Sequence, residues 1–584
     1  MTDSSTPAEG LDPAARAGHG EGQGTPQRSR RSMALRASAL MAAGSTFSRL
    51  LGFVRTFLMG MVLGGSASIA ANAYSAANVL PNSIWILIGG GTLNAILVPA
   101  IVRSMKRPDG GNDYMSRLFT LVIVASGAVT ALCMLAVPLL LTVANSRLDP
   151  GTMQAATVLA YWLMPQMMFS AVYIMFGQIL NAHESFGPYQ WAPAFNNVVA
   201  IIGAIIFLAL WGSQPDGTEW TWAMIAVLAL SQVGGVAAQG LLVFLWTRKI
   251  GLRIRLKWGF RGLGLGSLSK LGLWTLGMLF LGQIGVFAMR WSTNGAVSEV
   301  ERLQSSGGNK AVRDLYPALA TLDWSYTVFM IPQGIIAVAL VTSVFPRMAS
   351  QASDHDHAGA YRTYSAMNRV LLVPMILASV VLCVLAAPIM WVAIGGTSPT
   401  AAQANGLVLA GYVVGLTPFA ALYLVKRFFY AYEDARMSFM MQIPVTLVSL
   451  LALWPILAFV DPRYATATAT VVSSLGNLIA WLMGLAFMRR KLSQLGVDSS
   501  TMSGTSTLLT LVRLLIAAAF AAAAGWGLLA LAGDLTWTSR PTAVLVGLVV
   551  ASAMSLVFIA AAFVLRVSEV REAGSIIGRR LRRR

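Results

Sequence analysis

Two arginines lie inside the first long apolar segment, where charged side chains are rare. The stretch SRLLGFVR places Arg49 and Arg55 six residues apart, which is about 9 Å along a helix axis and roughly 240° around it. A charge near mid-membrane costs at least about 2.5–3.5 kcal/mol, so it persists where it faces a polar cavity or a partner. Because guanidinium groups match phosphate oxygens, two of them suit a diphosphate. The pattern indicates an anion site; the alternatives are snorkelling to the headgroups or a structural pairing.

Four further polar residues interrupt apolar segments. Arg290 lies near one end of its segment and either faces a cavity or caps the segment at the membrane interface. Asp323 either pairs with a cationic side chain or binds a coupling ion. Asn196 and Asn197 are candidates for ligand contact, although interhelical hydrogen bonds are the simpler role for such amides.

The second apolar segment contains residues that bend or loosen helices. Its proline removes a backbone donor and kinks the helix, and three consecutive glycines follow. This combination predicts a bending gate, with close helix packing through small residues as the alternative. The candidate cavity or gating residues are Asn72, Asn78, Pro81, Asn82, Gly89, Gly90 and Gly91.

The composition shows which elements must position these residues. Of the 584 residues, 56% are hydrophobic and 11% are charged, whereas a soluble protein carries about 25% charged residues. This composition excludes a soluble enzyme, a disordered chain and a fibrous repeat. It predicts an all-α polytopic membrane protein with about 14 transmembrane helices. The predicted spans are roughly 39–64, 73–102, 118–144, 155–181, 191–212, 222–246, 268–291, 316–345, 367–393, 404–432, 438–460, 465–488, 508–532 and 541–565.

The basic residues predict the orientation of the chain. If the amino terminus is cytoplasmic, 32 of the 42 Lys and Arg residues lie in or beside cytoplasmic segments, 7 lie on the other side and 3 lie inside spans. The positive-inside rule then places both termini in the cytoplasm. The same topology accounts for the net charge of +19, so the basic loops are expected to contact anionic membrane lipids and not nucleic acid.

A weak internal repeat divides the spans. The motifs NAHE and YAYE end 249 positions apart at Glu184 and Glu433, and Pro99 and Pro346 are 247 positions apart. Spans 1–6 therefore correspond to spans 7–12, which predicts two pseudo-symmetric six-helix lobes and a C-terminal helix pair, an arrangement typical of transporters. The predicted regions are a disordered basic cytoplasmic tail (1–38), an N-lobe (39–247), a basic cytoplasmic linker (248–267), a C-lobe (268–488), a C-terminal helix pair (489–565) and a basic cytoplasmic tail (566–584).

Patterns for catalysis and for metal binding are missing from the sequence. It contains no phosphate-binding Walker loop and no HExxH motif. Cys133 and Cys383 lie in apolar runs, too few for a metal or iron–sulfur site. The DHDH run at 354–357 could bind a metal, but it lies in a predicted cytoplasmic loop and is interpreted as a solvated linker. The sequence therefore predicts a protein that is not an enzyme and has no metal or cofactor.

The first spans resemble those of a known transporter family. SRLLGFVR at 48–55, LGG at 63–65, NAY at 72–74 and LPN at 80–82 are similar to the amino-terminal motifs of the MurJ (MviN) lipid II flippases, and residues 181–197 resemble an actinobacterial form of their fourth-to-fifth hairpin. These proteins belong to the multidrug/oligosaccharidyl-lipid/polysaccharide exporter superfamily. The resemblance implies that the protein flips lipid II, the peptidoglycan precursor, from the inner to the outer leaflet of the bacterial plasma membrane by alternating access.

The resemblance also implies roles for particular residues. In the family, arginines of the first span line a cationic cavity that meets the diphosphate, and Arg49 and Arg55 match those positions. The eighth-span arginine of some relatives is replaced by an uncharged residue near Thr327, so Arg290 is a candidate substitute. The last two spans, 508–565, are expected to form a groove for the polyprenyl tail. The implied partner is a polyprenyl-diphosphate-linked muropeptide.

Other functions remain open at this point. They are export of another polyprenyl-diphosphate-linked glycan, MATE-like drug export, and membrane-embedded glycosyl transfer. Two cavity arginines disfavour cationic drugs, and the longest predicted outer loop, 292–315, is short for an enzyme. The basic tails either contact cell-wall synthesis or division proteins or bind the leaflet alone.

Overall fold

The chain folds into a bundle of long helices joined by short connections. In the computed structural model the described residues are 46–88, 103–145, 148–183, 185–259, 270–500 and 504–572, with Gly44, Ile101, Met502 and Ser575. These residues contain helices and no strand. The helices are α1 (46–62), α2 (Ile69–Ile88), α3 (Asn112–Leu135), α4 (Val137–Asn145), α5 (Pro150–Leu163), α6 (Gln166–Ala182), α7 (Phe186–Trp211), α8 (Trp222–Lys249), α9 (Lys270–Trp291), α10 (Asn294–Ser305), α11 (Lys310–Arg313), α12 (Leu319–Pro332), α13 (Val338–Ser353), α14 (His357–Val384), α15 (Ala386–Ala393), α16 (Pro399–Val414), α17 (Leu416–Ala431), α18 (Ala435–Phe459), α19 (Pro462–Gln494), α20 (Thr505–Ala532), α21 (Leu535–Thr538) and α22 (Arg540–Val564).

Twelve helical segments of the described chain are long and apolar enough to cross a membrane. Each overlaps one of the predicted spans from the third, 118–144, to the fourteenth, 541–565. The first two predicted spans extend into residues that lie outside the described part, as do the basic tails and the candidate gate residues Gly89, Gly90 and Gly91. The predicted all-α membrane fold is confirmed with twelve such helices.

Local sequence explains where several of these helices begin. Pro150, Pro399 and Pro462 occupy the first positions of α5, α16 and α19, where a missing N–H costs nothing and the fixed φ suits a helix. Before α22, the Ser539 hydroxyl accepts the backbone N–H of Thr542 while the Thr542 hydroxyl accepts the backbone N–H of Ser539. These caps satisfy backbone donors that a helix leaves free at its first turn.

Helix starts and breaks recur at a constant spacing along the chain. Pro150 and Pro399, which begin α5 and α16, are 249 positions apart. The break between α3 and α4 at Ala136 and the break between α14 and α15 at Leu385 are also 249 positions apart. This spacing matches the sequence repeat, so corresponding spans bend at corresponding places.

Helices α2 and α12 meet through residues separated by almost the same spacing. The side-chain Oδ1 of Asn72 accepts the backbone N–H of Ala320 at 3.2 Å, and the Ser75 hydroxyl donates to Asp323 Oδ2. Both pairs are 248 positions apart. A segment that touches its own repeat equivalent is what a two-fold relation produces at its axis.

Apolar side chains form separate clusters inside the bundle. One combines residues of α2, α5 and α8 with stretches of α10 and α12, and a second is built from α12 to α19. A third joins α14 to α20 and α22 through residues such as Leu514 and Phe558. On the outside, Leu135 and Leu531 are 83% and 84% exposed, as expected for a surface that contacts lipid.

Candidate functional site: arginines between the two halves

Arg290, near the end of α9, has no exposed surface. Its Nε donates to Asn145 Oδ1 and its Nη2 to Ser75 Oγ, both at 3.0 Å and both from the amino-terminal half (46–259). Its Nη1 donates to Asp323 Oδ1 at 2.9 Å. A buried charge persists when it is paired and hydrogen-bonded on several sides. In this conformation Arg290 therefore joins the amino-terminal half to the carboxy-terminal half (270–572), and its guanidinium is not open to a ligand.

Asp323, in the second turn of α12, completes this network. Its Oδ1 accepts from Arg290, and its Oδ2 accepts the Ser75 hydroxyl. Its side chain nevertheless remains 44% exposed. Of the two roles predicted for Asp323, the structure displays pairing with a cationic side chain. Ser75, Asn145, Arg290 and Asp323 are called the Arg290 network below.

Arg49 reaches from α1 to the carboxy-terminal half. The guanidinium is half-buried, and its Nη1 donates to the backbone oxygen of Ile331 at 3.3 Å. It lies against the π-helical turn Gln333–Ala337, and a Cβ on Gly334 would lie 2.3 Å from Nη2 of Arg49. No carboxylate pairs with Arg49 among the described residues. Its charge is therefore not balanced by the part of the protein that is described.

Arg55 is directed toward α8 of the amino-terminal half. Its Nη2 donates to Oε1 of Gln232 on α8. Gln232 is only 2% exposed. The other end of the same amide donates to Met59 Sδ at 3.7 Å. The partner of Arg55 is thus neutral, and no ion pair forms with it within the described chain. The two arginines point to different helices, in agreement with their angular separation on α1.

Some candidate gate residues of α2 are buried in contacts with other helices, and others are exposed. Asn72 is fully buried, and its Nδ2 has no partner among the described residues. Asn78 Oδ1 accepts from Gln166 Nε2 at 3.3 Å. Pro81 lies inside the helix, and Asn82 is exposed. Asn82 is thus accessible on α2 two to three turns beyond the contact of Asn72 with α12.

The two asparagines of α7 make interhelical hydrogen bonds. Asn196 Nδ2 donates to Gln239 Oε1 at 3.2 Å. Asn197 Nδ2 donates to the backbone oxygen of Ser48 at 2.8 Å, which fixes α1 next to Arg49. Both residues thus adopt the simpler role considered for such amides.

The two halves also meet at the end of the bundle where α10 lies, called the α10 end. The backbone N–H of Gly395 donates to Phe57 O at 3.1 Å, and a Cβ on Gly60 would lie 2.6 Å from Gly395 O. Gly65 and Gly396, both at positive φ, approach one another in the same way. Because only glycine allows backbones this close, backbone contact seals the α10 end.

Helix α10 itself binds the amino-terminal half. The Glu301 carboxylate accepts the backbone N–H groups of Gly151 (2.8 Å) and Thr152 (2.9 Å) in the first turn of α5. A negative charge is favourable at a helix amino terminus. Gln304 Oε1 accepts the backbone N–H of Ile69 at 3.2 Å, at the start of α2. These bonds hold the α10 end closed.

Sequence reasoning did not identify several residues of this region. Ser75, Asn145 and Gln232 are isolated polar residues in apolar helices, and no local pattern distinguishes them from other such residues. Gly334 is one of 54 glycines, and only its contact with Arg49 reveals its importance. Their partners lie far away in the sequence, so folding was needed to identify them.

Curated relatives of the chain share one description. The family model described as "Lipid II flippase MurJ" matches residues 61–539. The probable lipid II flippase MurJ of Rhizobium tropici is 25% identical over 495 residues, covering 81% of this chain and 86% of the relative. The probable lipid II flippase MurJ of Vibrio cholerae serotype O1 is 24% identical over 477 residues, covering 77% of this chain and 82% of the relative.

Solved structures share the fold. A structure of lipid II flippase MurJ in an inward closed conformation has a TM-score of 0.64 at 18% identity, covering 89% of this chain and 98% of that one. An inward-facing MATE transporter of the MOP superfamily has a TM-score of 0.56 at 14% identity, and the match covers 77% of this chain and 95% of that one. With a family match over 61–539 and twelve helices in its described residues able to cross a membrane, this multi-pass protein of the inner membrane belongs to the lipid II flippase MurJ family.

Proposed function

We propose that the protein moves lipid II from the inner to the outer leaflet of the plasma membrane, and that Arg49 and Arg55 bind its diphosphate. The observation that carries this proposal is the half-buried Arg49 guanidinium between the halves, with no carboxylate partner among the described residues. A cation at this depth is costly unless a ligand or a polar cavity compensates for it. A diphosphate offers the charge and the oxygen geometry that guanidinium groups bind best.

The proposed architecture is two six-helix lobes, 39–247 and 268–488, followed by the helix pair 489–565. The constant spacing of helix breaks and the contact of α2 with its equivalent α12 support this division. The arrangement has fourteen spans, the first two including residues outside the described part. The lobes then rock about the α2–α12 contact, as in alternating access.

The proposed orientation places both termini and the basic loops in the cytoplasm. The loop after α8 carries Arg253, Arg255 and Lys257, and such clusters bind anionic lipid at the cytoplasmic leaflet. The α10 end is then the outer end. Its glycine contacts and the bonds of Glu301 seal the outer side, so the present conformation loads its substrate from the inner leaflet.

The gate proposed for the transport cycle combines two prolines. Pro81 interrupts α2, and Pro332 directly precedes the π-helical turn Gln333–Ala337. Proline and π-turns are both sites where helices bend. Asn72, Asn78 and Asn82 lie on α2 around Pro81, and we assign them, with Gly89, Gly90 and Gly91, to the moving wall of the cavity.

Beside this wall lies an apolar groove suited to a lipid chain. A cavity of about 510 Å³ is lined by Leu87 of α2 and, across from it, by residues of α9 and α18 such as Trp274 and Phe439. Its lining is almost wholly apolar. We place the polyprenyl chain in this groove and not along 508–565, where the resemblance implies it, because a chain here leaves the diphosphate free to enter the cleft between the halves.

The membrane potential contributes to the direction of transport. Moving one elementary charge across the full field is worth about 2.3 kcal/mol per 100 mV. An inside-negative potential therefore drives the anionic headgroup outward and returns the empty cationic cavity inward.

Complementation tests this function in a bacterium whose own lipid II flippase can be switched off. Wild type should restore growth and expose lipid II at the outer leaflet. Arg49→Ala should fail at equal membrane abundance, because the cavity loses its unbalanced cation. The matched control is Arg513→Ala, since Arg513 is also a span arginine but donates to Arg566 O on the last helices. Full rescue by Arg49→Ala would exclude Arg49 as the diphosphate ligand.

Export of a different lipid-linked glycan or of a drug makes different predictions. The MATE structures support these alternatives only as relatives in fold. A well-expressed wild type that does not restore growth, but exports another polyprenyl-diphosphate-linked glycan, would favour export of that glycan as the function. Cationic drugs fit poorly with Arg49 and Arg55, neither of which has a carboxylate partner in the described chain.

A further inference from the structure

One face of α12 is exposed although the residues around it are buried. Asp323, Tyr326 and Thr327 lie at helical spacing on this face, whereas Ser325 and Val328 are buried. Tyr326 is 44% exposed, and its hydroxyl has no partner among the described residues. An exposed aspartate at this depth does not face lipid, because a carboxylate there requires a polar environment, and Tyr326 lies one turn from it along the same helix.

The exposed face looks into the cleft between the halves. At the level of Asp323, α12 touches α2 through Ser75. Further from the α10 end, Tyr326 on α12 and Asn82 on α2 are both exposed. Exposed residues on both helices beyond the contact indicate that the helices diverge there, and Asp323 and Tyr326 lie beside the opening.

Asp323 is a rigid hydrogen-bond acceptor with capacity to spare. Each carboxylate oxygen accepts one bond, from Arg290 or from Ser75, and a carboxylate has about four acceptor positions. Arg290 already balances the charge of Asp323, so an additional cation gains little at this site. Neutral donors such as hydroxyl groups match the acceptor positions of Asp323 that remain free.

Tyr326 supplies a flat apolar surface beside this acceptor. Its ring is supported by Phe329, with ring centres 5.9 Å apart, and by Tyr412, with ring centres 5.7 Å apart. A supported, exposed aromatic ring stacks against the apolar face of a pyranose, while the hydroxyl groups at the sugar edge need acceptors. An aromatic platform next to a fixed carboxylate therefore fits a saccharide.

We propose that Asp323 and Tyr326 form a saccharide subsite that binds the sugar nearest the diphosphate, an inference that rests on the proposed function. Along the helix, Tyr326 is five residues from Ile331 and eight from Gly334, the two contacts of Arg49. This corresponds to about 8–12 Å at a rise of 1.5 Å per residue, the length of a sugar attached to a diphosphate. Arg290 is a positioning residue in this subsite, because it holds Asp323 without touching the ligand.

Binding of two lipids separates sugar recognition from diphosphate recognition. The probes are undecaprenyl diphosphate, which has no sugar, and lipid II, each added to the full-length protein in detergent and quantified by native mass spectrometry. Wild type should bind lipid II at least tenfold more tightly than undecaprenyl diphosphate. Tyr326→Leu should lose at least tenfold in affinity for lipid II and keep its affinity for undecaprenyl diphosphate. Tyr326→Phe, which retains the ring, should remain close to wild type.

Control variants make the outcomes distinct. Tyr464→Leu removes an exposed tyrosine at the start of α19, away from the cleft, and should change neither affinity. If Tyr326→Leu does not fold, Tyr326→Ser replaces it. The ratio of the wild-type affinities for lipid II and undecaprenyl diphosphate tests the subsite without any variant. Equal wild-type affinities, or an unchanged affinity of Tyr326→Leu for lipid II, would overturn the subsite and leave the proposed function standing. Wild type that binds neither lipid would overturn both.

Discussion

Three arginines at membrane depth occupy different electrostatic environments. Arg290 is fully buried and balanced by Asp323. Arg55 has a neutral amide partner, and Arg49 has a backbone carbonyl. The residue types are identical, so the environment decides the role: a balanced arginine holds structure, whereas an unbalanced one attracts an anion.

Replacement of Arg290 should destabilise the protein more than it alters ligand contact. Arg290→Met leaves the Asp323 carboxylate, Ser75 and Asn145 without their partner. Because the Asp323 side chain is 44% exposed, the cost is below that of breaking a fully buried pair and is about 1–3 kcal/mol. We expect a decrease of that size in the free energy of unfolding, measured by titration with a denaturing detergent. Arg290→Met combined with Asp323→Leu should recover part of the loss, since no unpaired charge remains.

The control for this experiment is an exposed ion pair. Arg302 pairs with Glu299 within one turn of α10, and such pairs contribute little. Arg302→Met should therefore leave the unfolding transition unchanged. A loss for Arg290→Met no greater than that for Arg302→Met would show that the Arg290 network does not stabilise the fold.

At the scale of elements, the contacts between halves are concentrated toward the α10 end. Helices α2 and α12 touch near Ser75 and Asp323, and residues beyond this contact, such as Asn82 and Tyr326, are exposed. The glycine contacts of Gly60 and Gly395 close the same end with backbone alone. A seal made of backbone forms only at one separation of the halves, so it opens or closes as a unit.

Enlarging one glycine should therefore open the seal. In Gly60→Val, the added side chain collides with the backbone of Gly395, where even a Cβ would lie 2.6 Å from its oxygen. The probe is Asn82→Cys in a background without native cysteines. We expect this cysteine to react several-fold faster with a membrane-impermeant maleimide added from outside the cell when Gly60→Val is present than when Gly60 is intact.

A second glycine controls for the size of the substitution. Gly527→Val lies in α20, where a Cβ meets no atom within 4 Å, and it should not change the labelling rate of the cysteine at position 82. Equal labelling in Gly60→Val and Gly527→Val would contradict the assignment of Gly60 to the outer seal.

At the scale of the whole molecule, charge and apolar surface are distributed as a membrane requires. Basic residues cluster in the loop after α8 and around Arg489 and Arg490 near the end of α19. The opposite end carries α10, whose residues contact the amino-terminal half. Exposed leucines and valines cover the long helices between the two ends.

Single cysteines test the orientation that follows from this distribution. Ser305→Cys at the end of α10 should react with a membrane-impermeant maleimide in intact cells. Ser493→Cys near the end of α19 should react only after the cells are permeabilised, because the proposed orientation places the basic end in the cytoplasm. Both serines are exposed, so access to the reagent is limited by the membrane alone. The reverse labelling pattern would invert the topology and the direction assigned to transport.

Local sequence alone was sufficient to predict most of the spans. Crossing a bilayer requires about 20 apolar residues in a helix, and this requirement is met within each segment without reference to its neighbours. Twelve of the predicted spans are found among the described residues as helices long and apolar enough to cross a membrane, for this reason. The repeat spacing could be predicted too, because similar motifs and prolines, such as Pro99 and Pro346, can be compared along the chain without knowledge of any contact. The amino-terminal motifs with Arg49 and Arg55 identified the family before any contact was known.

The tertiary structure decided which polar residues work together. Arg290 and Asp323 are 33 positions apart, and Arg290 and Ser75 are 215 positions apart. No local pattern encodes such pairs, since they depend on how the two halves approach each other. The same holds for the contact of Arg49 with Gly334 and for the exposed face of Tyr326. Hydropathy is a property of a segment, whereas charge balance is a property of the folded molecule, because it depends on the distance between groups that only folding brings together.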